Sequence, residues 1–204
     1  MAVYSSTRRS LLVAAIASLP LALAGCGDKA DSKPLAFEGG NDITGTHLGS
    51  DLDMVSTDGQ ARTLASFRGK VLLVYFGYTH CPDVCPTSMA MAAQALALLG
   101  PKAKDVQVAM VTVDPQRDTP KVLAAYVQAF NPTFVGLTGT ADQLARTARS
   151  FKVSYAKEAG PTPQQYAMSH SSAFYLIDRK GETRALISAN TTPQDMAHDI
   201  QLLL

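Results

Sequence analysis

The chain has 204 residues, 47% of them hydrophobic and 17% charged, with 14 Gly, 11 Pro and no Trp. That is enough for one well-cored domain, and it excludes disordered, collagen-like and coiled-coil architectures. Eighteen Lys and Arg against 17 Asp and Glu give a net charge of +1, which leaves no electrostatic footprint for nucleic acid or an anionic membrane surface. Three cysteines, Cys26, Cys81 and Cys85, are too few for a disulfide scaffold and one too many for a single pair.

The first of them sits at the end of an export pattern. Arg8 and Arg9 precede an uncharged run, Leu11 to Ala24, which closes on Leu23-Ala24-Gly25-Cys26. A basic n-region, an apolar h-region and a small-residue cleavage site follow in the order of a secretory signal. As a helix the apolar run would reach about 21 Å against roughly 30 Å of hydrocarbon, too short to span comfortably. The Leu-Ala-Gly-Cys ending resembles a bacterial lipoprotein signal, in which cleavage leaves a lipid-bearing cysteine at the new N-terminus. The expected organisation is a signal peptide over 1–25, with Cys26 as the lipid attachment point. A polar, flexible tether over 26–40 and a folded domain over 41–204 follow it. Cleavage removes Arg8 and Arg9 and no acid, leaving 16 basic and 17 acidic residues.

Within the domain, Leu52 to Thr63 contains the turn pair Asp58-Gly59 between β-favouring pieces and predicts a hairpin. Val71 to Phe76 is a continuous apolar, β-rich run and predicts a strand buried on both faces. Ser88 to Leu99 is rich in Ala, Met and Leu and stops at Gly100-Pro101, so it predicts a helix. A second buried strand follows over Val106 to Val113, and Thr119-Pro120 opens another helix. Phe134 to Leu137 is a short strand, and Ala141 to Phe151 has helical spacing. Ala173 to Asp178 and Arg184 to Ser188 flank the turn Arg179-Lys180-Gly181 as a closing hairpin, and Pro193 to Leu204 is a final helix capped from Thr191-Thr192. Alternating strands and helices of this kind give an α/β fold, a three-layer sandwich with an N-terminal hairpin, in the order of a thioredoxin-like sheet.

Cys81 and Cys85 lie between the first long strand and the helix after it, where a thioredoxin-like domain carries its reactive cysteines. Pro86 biases Cys85 away from helical geometry, so Cys85 is expected as a non-helical cap with Cys81 on the loop before it. The helix N-terminus offers unpaired amides and a dipole that favour thiolate. Thioredoxin-type sites place two residues between their cysteines, and the third residue here widens the loop, which suits a metal at least as well as a strained catalytic disulfide. Two thiolates are too few for a closed zinc site, whereas soft sulfur with one imidazole suits copper. Of the four histidines, His198 has polar neighbours on the last helix and His47 lies near the tether. His80 adjoins Cys81, and neighbours on an extended segment point oppositely. His170, shortly before the strand from Ala173, is selected, although a hydrogen-bonded histidine at a strand end is an equal account of its position alone. Asp114 ends a buried strand at the same sheet edge; it is a candidate for orienting a ligand, weighed against a turn-initiating role before Pro115. Arg117 and Asp118 read as serving that turn and the helix start. Met89 and Met91 read as core filler, and Tyr75, Phe76 and Tyr78 as packing with secondary use as a docking surface.

Three separated motifs then resemble the Sco/SenC family. They are the segment Val71 to Pro86 with Tyr-Thr-His-Cys-Pro-Asp-Val-Cys-Pro, the Val113-Asp-Pro-Gln-Arg-Asp-Thr-Pro120 run, and Ser169-His170-Ser171 before Phe174 to Asp178. The resemblance implies a thioredoxin-like fold and a copper site, Cu(I) or Cu(II), made by Cys81, Cys85 and His170. It implies a copper chaperone that helps assemble the dinuclear copper centre of cytochrome c oxidase, with subunit II as partner and another periplasmic copper chaperone or thiol reductase upstream. Many family members have an N-terminal transmembrane helix; this chain's signal implies instead a lipid-anchored protein of the bacterial envelope, facing the periplasm. The alternative is a thiol-disulfide oxidoreductase that uses Cys81 and Cys85 as a redox pair on the oxidase's cysteines. Thioredoxin-type oxidoreductases carry a proline directly before the strand facing the dithiol, and Ser169-His170-Ser171 stands there instead.

Overall fold

The computed structural model describes residues 1–2, 35–162 and 164–204. The signal and Cys26, together with most of the tether, lie outside the described residues.

Among the described residues, ten strands form two sheets. The main sheet has eight, in the order β1 (Gly40–Asp42), β10 (Thr183–Ile187), β9 (Phe174–Ile177), β4 (Val71–Gly77), β5 (Val106–Thr112), β6 (Val135–Thr138), β2 (Asp53–Ser56) and β3 (Ala61–Thr63). The central trio β4, β5 and β6 is parallel, and every residue of β4 is buried, as expected of a strand covered on both faces. Two helical crossovers, α1 (Val84–Leu99) and α2 (Pro120–Phe130), step in the same direction along this trio. Right-handed crossovers of that kind put both on one face, and α1 packs against α2 and against α4 (Pro193–Gln201). The other face takes α3 (Ala141–Phe151), whose Phe151 meets Phe76 and Tyr175 edge to face at 5.3 and 4.9 Å between ring centroids.

Alternation along β4 therefore sends Phe76 toward α3 and Tyr75 toward α1. This is the thioredoxin-like three-layer arrangement expected. The N-terminal hairpin, β2 and β3 with Gly59 at positive φ in its turn, extends the main sheet through antiparallel pairing of β2 with β6. Helix starts follow their caps. Thr119 and Thr192 accept from backbone amides of the first turn, and Thr140 forms a reciprocal capping box with Gln143.

Two features differ from expectation. Helix α1 begins at Val84, with Asp83 as the flanking residue, so Cys85 is helical and is not the cap. The amide of Thr87 donates to the Asp83 carbonyl, and this first helical bond skips Pro86. A proline anywhere in the first turn forfeits only an amide that has no helical partner, so Pro86 is accommodated two residues deeper than expected. The second feature is a separate two-stranded sheet, β7 (Tyr155–Thr162) and β8 (Gln165–His170), in a stretch where no element was expected. Its strands are largely exposed, so it lacks the apolar run that announces β4, β5 and β9. A Cβ on Gly160 would collide with the Gln165 carbonyl oxygen, so the hairpin's bulged end requires glycine.

Candidate metal centre

Cys81, Cys85 and His170 converge. Their ligand atoms lie within 4.8 Å of one another, and both cysteines are free thiols. Cys85 is fully buried in the first turn of α1, while Cys81, at 9% exposure, sits at the rim on the preceding loop. His170 is the last residue of β8, and its Nε2 stands 3.4 Å from the Cys85 Sγ.

The neighbours explain the orientation of each group. The His170 Nδ1 lies 3.0 Å from the Ser171 carbonyl oxygen, which can only accept, so Nδ1 carries the proton. Nε2 is then the ring nitrogen that faces the sulfurs, as a metal ligand requires. Tyr75 and Tyr78 flank the imidazole edge-on at 6.2 and 5.8 Å. The Tyr75 hydroxyl also lies 3.8 Å from the Cys85 sulfur. A Cβ on Gly77 would come within 2.9 Å of that same sulfur, so glycine at the end of β4 makes the room the thiol occupies.

Burial pushes the Cys85 thiol up to about 12, with the neighbouring Cys81 adding to the rise and a hydrogen bond from the Tyr78 backbone opposing it. Burial and the nearby Cys85 also raise the Tyr75 phenol. At neutral pH Cys85 is therefore a protonated thiol, and a soft cation that binds it displaces a proton. Two sulfurs and one imidazole at this spacing suit a soft, low-coordinate metal and leave a closed four-ligand zinc site incomplete.

The segment after β5 holds the cysteine loop. Asp118 is fully buried; its carboxylate accepts from the Thr79 amide at 3.0 Å and from the Thr79 and Thr112 hydroxyls at 2.6 Å each. The SCO1/SenC family model matches residues 41–204. The chain belongs to the SCO1/SenC family. Protein SCO2 homolog, mitochondrial, from Bos taurus is 41% identical over 133 residues, which cover 64% of this chain and 50% of that protein. The chain thus spans about half the length of that relative. SCO2-like protein from Rickettsia felis is 34% identical over 165 residues, covering 80% of each chain. The structure of Bradyrhizobium japonicum ScoI with copper bound superposes with a TM-score of 0.72 at 35% identity, over 77% of this chain and 99% of that one.

Within the SCO1/SenC span, the remaining residues singled out from sequence fall into place as follows. Asp114, 3% exposed, touches neither thiol nor imidazole; its carboxylate accepts from Arg117 and Tyr166, and its carbonyl accepts from the Arg117 and Asp118 amides in a turn. His80 turns to Thr79 and Asp118 with its side chain half exposed. His198 sits beside Asp199 and Glu38. Met89 and Met91 are core residues. Tyr75, Phe76 and Tyr78 are at most 3% exposed, so packing occupies them and they offer no docking surface. Sequence reasoning missed Tyr166 altogether and undervalued Arg117 and Asp118. The alternation of Tyr166, Met168 and His170 on one side of β8 was the available signal.

Proposed function

We propose that this protein binds copper through Cys81, Cys85 and His170 and delivers it during assembly of the dinuclear copper centre of cytochrome c oxidase subunit II. Proteins of the Sco family bind copper and take part in cytochrome c oxidase assembly. The observation that carries the reading to this chain is the meeting of two thiols and one correctly protonated imidazole within 4.8 Å. The similarity to copper-bound ScoI supports it. In this reading copper is cargo. Cys81 and Cys85 release their protons as it arrives, and His170 supplies the third donor from a separate strand. Incoming thiolates of the partner take over the copper from these three donors, of which His170 is the most exposed.

The chain's own N-terminus supports an envelope location. Residues 1–25 act as a lipoprotein-type signal, Cys26 carries lipid after cleavage, and 26–40 tether the domain over 41–204 outside the cytoplasm. A periplasmic copper chaperone supplies the metal, and a thiol reductase keeps the pair reduced. The second reading, thiol-disulfide exchange on the oxidase cysteines, rests on the two free thiols four residues apart at a helix start.

Anaerobic Cu(I) titration of the reduced full-length protein against a competing chelator tests the first reading. About one Cu(I) per chain is expected, and His170→Ala should weaken binding by more than the roughly 10- to 100-fold lost with an outer partner of a ligand. Unchanged stoichiometry and affinity in His170→Ala overturn the ligand assignment. Rapid reduction of an oxidised oxidase-subunit peptide without copper uptake selects the second reading.

A further inference from the structure

His170 reaches the thiols from β8, and among the described residues β8 pairs only with β7, outside the eight-stranded sheet. An isolated two-stranded hairpin is marginal in water. Behind this one lies a cleft of about 200 Å3, lined by Lys157, Tyr166 and Met168 of the hairpin and by Asp114 and Pro115 of the loop after β5. Something must hold the hairpin at the spacing that puts Nε2 beside the sulfurs.

One cluster bridges that cleft. The Tyr166 hydroxyl donates to Asp114 Oδ1 at 2.7 Å, the Arg117 Nε donates to Asp114 Oδ2, and the Arg117 Nη1 donates to the Tyr166 carbonyl at 2.9 Å. The bonds close a ring in which the guanidinium grips the carboxylate and the β8 backbone together. The Arg117 Cζ also lies 3.5 Å from the centroid of the Tyr166 ring, and the Lys157 Nζ lies 3.7 Å from it. Asp114 is itself fixed, since its amide donates to the Thr112 hydroxyl at 2.9 Å and its carbonyl closes the turn. The next carboxylate along, Asp118, holds the cysteine loop through Thr79. One five-residue segment therefore grips both arms of the site, the thiols by Asp118 and the imidazole's strand by Asp114 and Arg117.

We propose that Asp114, Arg117 and Tyr166 form a latch that positions His170 against Cys81 and Cys85 and thereby sets how tightly the chain holds copper. The inference rests on the copper reading above. None of the three touches a donor atom, so each is a positioning residue. A positioning role predicts that affinity follows the order of the hairpin and that charge alone is not enough. Arg117→Lys keeps the cation but cannot reach Asp114 and the Tyr166 carbonyl at once. Tyr166→Phe keeps the ring beside both cations and removes only the bond to Asp114.

The test uses the full-length reduced protein with two readouts. In metal-free protein, amide hydrogen exchange over Gln165–His170 should speed up by about tenfold in Tyr166→Phe and more in Arg117→Lys, while β4 and β5 stay protected. Cu(I) affinity measured on the same samples should fall by about tenfold in Tyr166→Phe and further in Arg117→Lys. Unchanged exchange in both variants overturns the latch. Faster exchange with wild-type affinity, while His170→Ala binds weakly, overturns its positioning role and leaves the copper reading standing. Wild-type affinity in His170→Ala overturns the copper reading, and the positioning role with it, whatever the exchange data give.

Discussion

The thiol arm and the imidazole arm of the candidate site are built in different ways. Cys85 lies in the first turn of a helix packed on a fully buried parallel strand, with its sulfur against Gly77 and Tyr75 and its loop fastened by the buried Asp118. His170 ends an exposed hairpin that joins no strand of the main sheet among the described residues and meets the body largely through side chains. A global core holds the first arm, and a local cluster holds the second. The contrast teaches where a metal-transfer site can give way. Two donors keep their geometry as long as the domain is folded, whereas the third rests on a few polar bonds and on Tyr155 and Met168 packed against the core, an arrangement of the kind that opens locally.

The largest expected effect breaks the first arm. Asp118→Ala leaves the Thr79 amide and the Thr79 and Thr112 hydroxyls without their acceptor in a buried setting. It should cost about 3 kcal/mol of folding stability in chemical denaturation. Tyr166→Phe, which strikes only the second arm, should lose no more than about 1.4 kcal/mol in the same experiment, the equivalent of its tenfold faster local exchange. Equal losses in the two variants would erase the distinction. Gly77→Ala is expected next in size, at about 2 kcal/mol, because the added methyl meets Tyr75, the Cys85 sulfur and Met110 at 2.8 to 3.1 Å. Its Cu(I) affinity should fall with its stability, since the displaced group is a donor.

The burial of Cys85 in the first arm also sets a pH dependence. Its folded-state value of about 12 lies above the ordinary thiol value of 9.0, so between those pH values the unfolded chain has lost a proton that the folded chain keeps. The stabilisation is complete below pH 9 and is lost at up to about 1.4 kcal/mol per pH unit as pH rises toward 12. Burial also raises Tyr175 to about 12, so part of the alkaline slope is independent of the site. Denaturation of metal-free Cys85→Ser should show a shallower slope above pH 9 than wild type. An identical slope would mean that the thiol is not buried as firmly as the core around it.

The two arms were also unequally legible in the sequence. The apolar run from Val71, the Gly100-Pro101 stop and the capping threonines are local signals, and the elements they predicted are present within a few residues. The start of α1 was misplaced by a residue pair because Pro86 was read through the restriction it imposes on Cys85. The first helical bond in fact runs from Thr87 to Asp83 past both. The β7–β8 hairpin was not legible as a strand pair, because its polar, exposed residues have no buried face to enforce apolar alternation along both strands. Arg117 and Asp118 were read as turn and helix-start residues. That holds for the backbone they occupy and misses the side chains, whose partners Tyr166 and Thr79 lie 49 and 39 residues away.

Composition, hydrophobic runs and the three spaced motifs by themselves determined the α/β class, the order of the main-sheet core and the three residue types that meet at the site. The class and the order of elements follow from short-range physics, in which burial sets the period of apolar residues and caps or prolines set where helices start. The choice of His170 as the third residue rested instead on the family resemblance and the missing ligand of a two-thiolate set. Only the tertiary structure decided that His170 would arrive on a strand outside the main sheet, with its Nε2 against the Cys85 sulfur. It also decided that the segment Asp114 to Asp118 would hold both arms at once. Hydrogen bonds between side chains far apart in the chain leave no periodic trace in the sequence, and here they set the geometry of the donors.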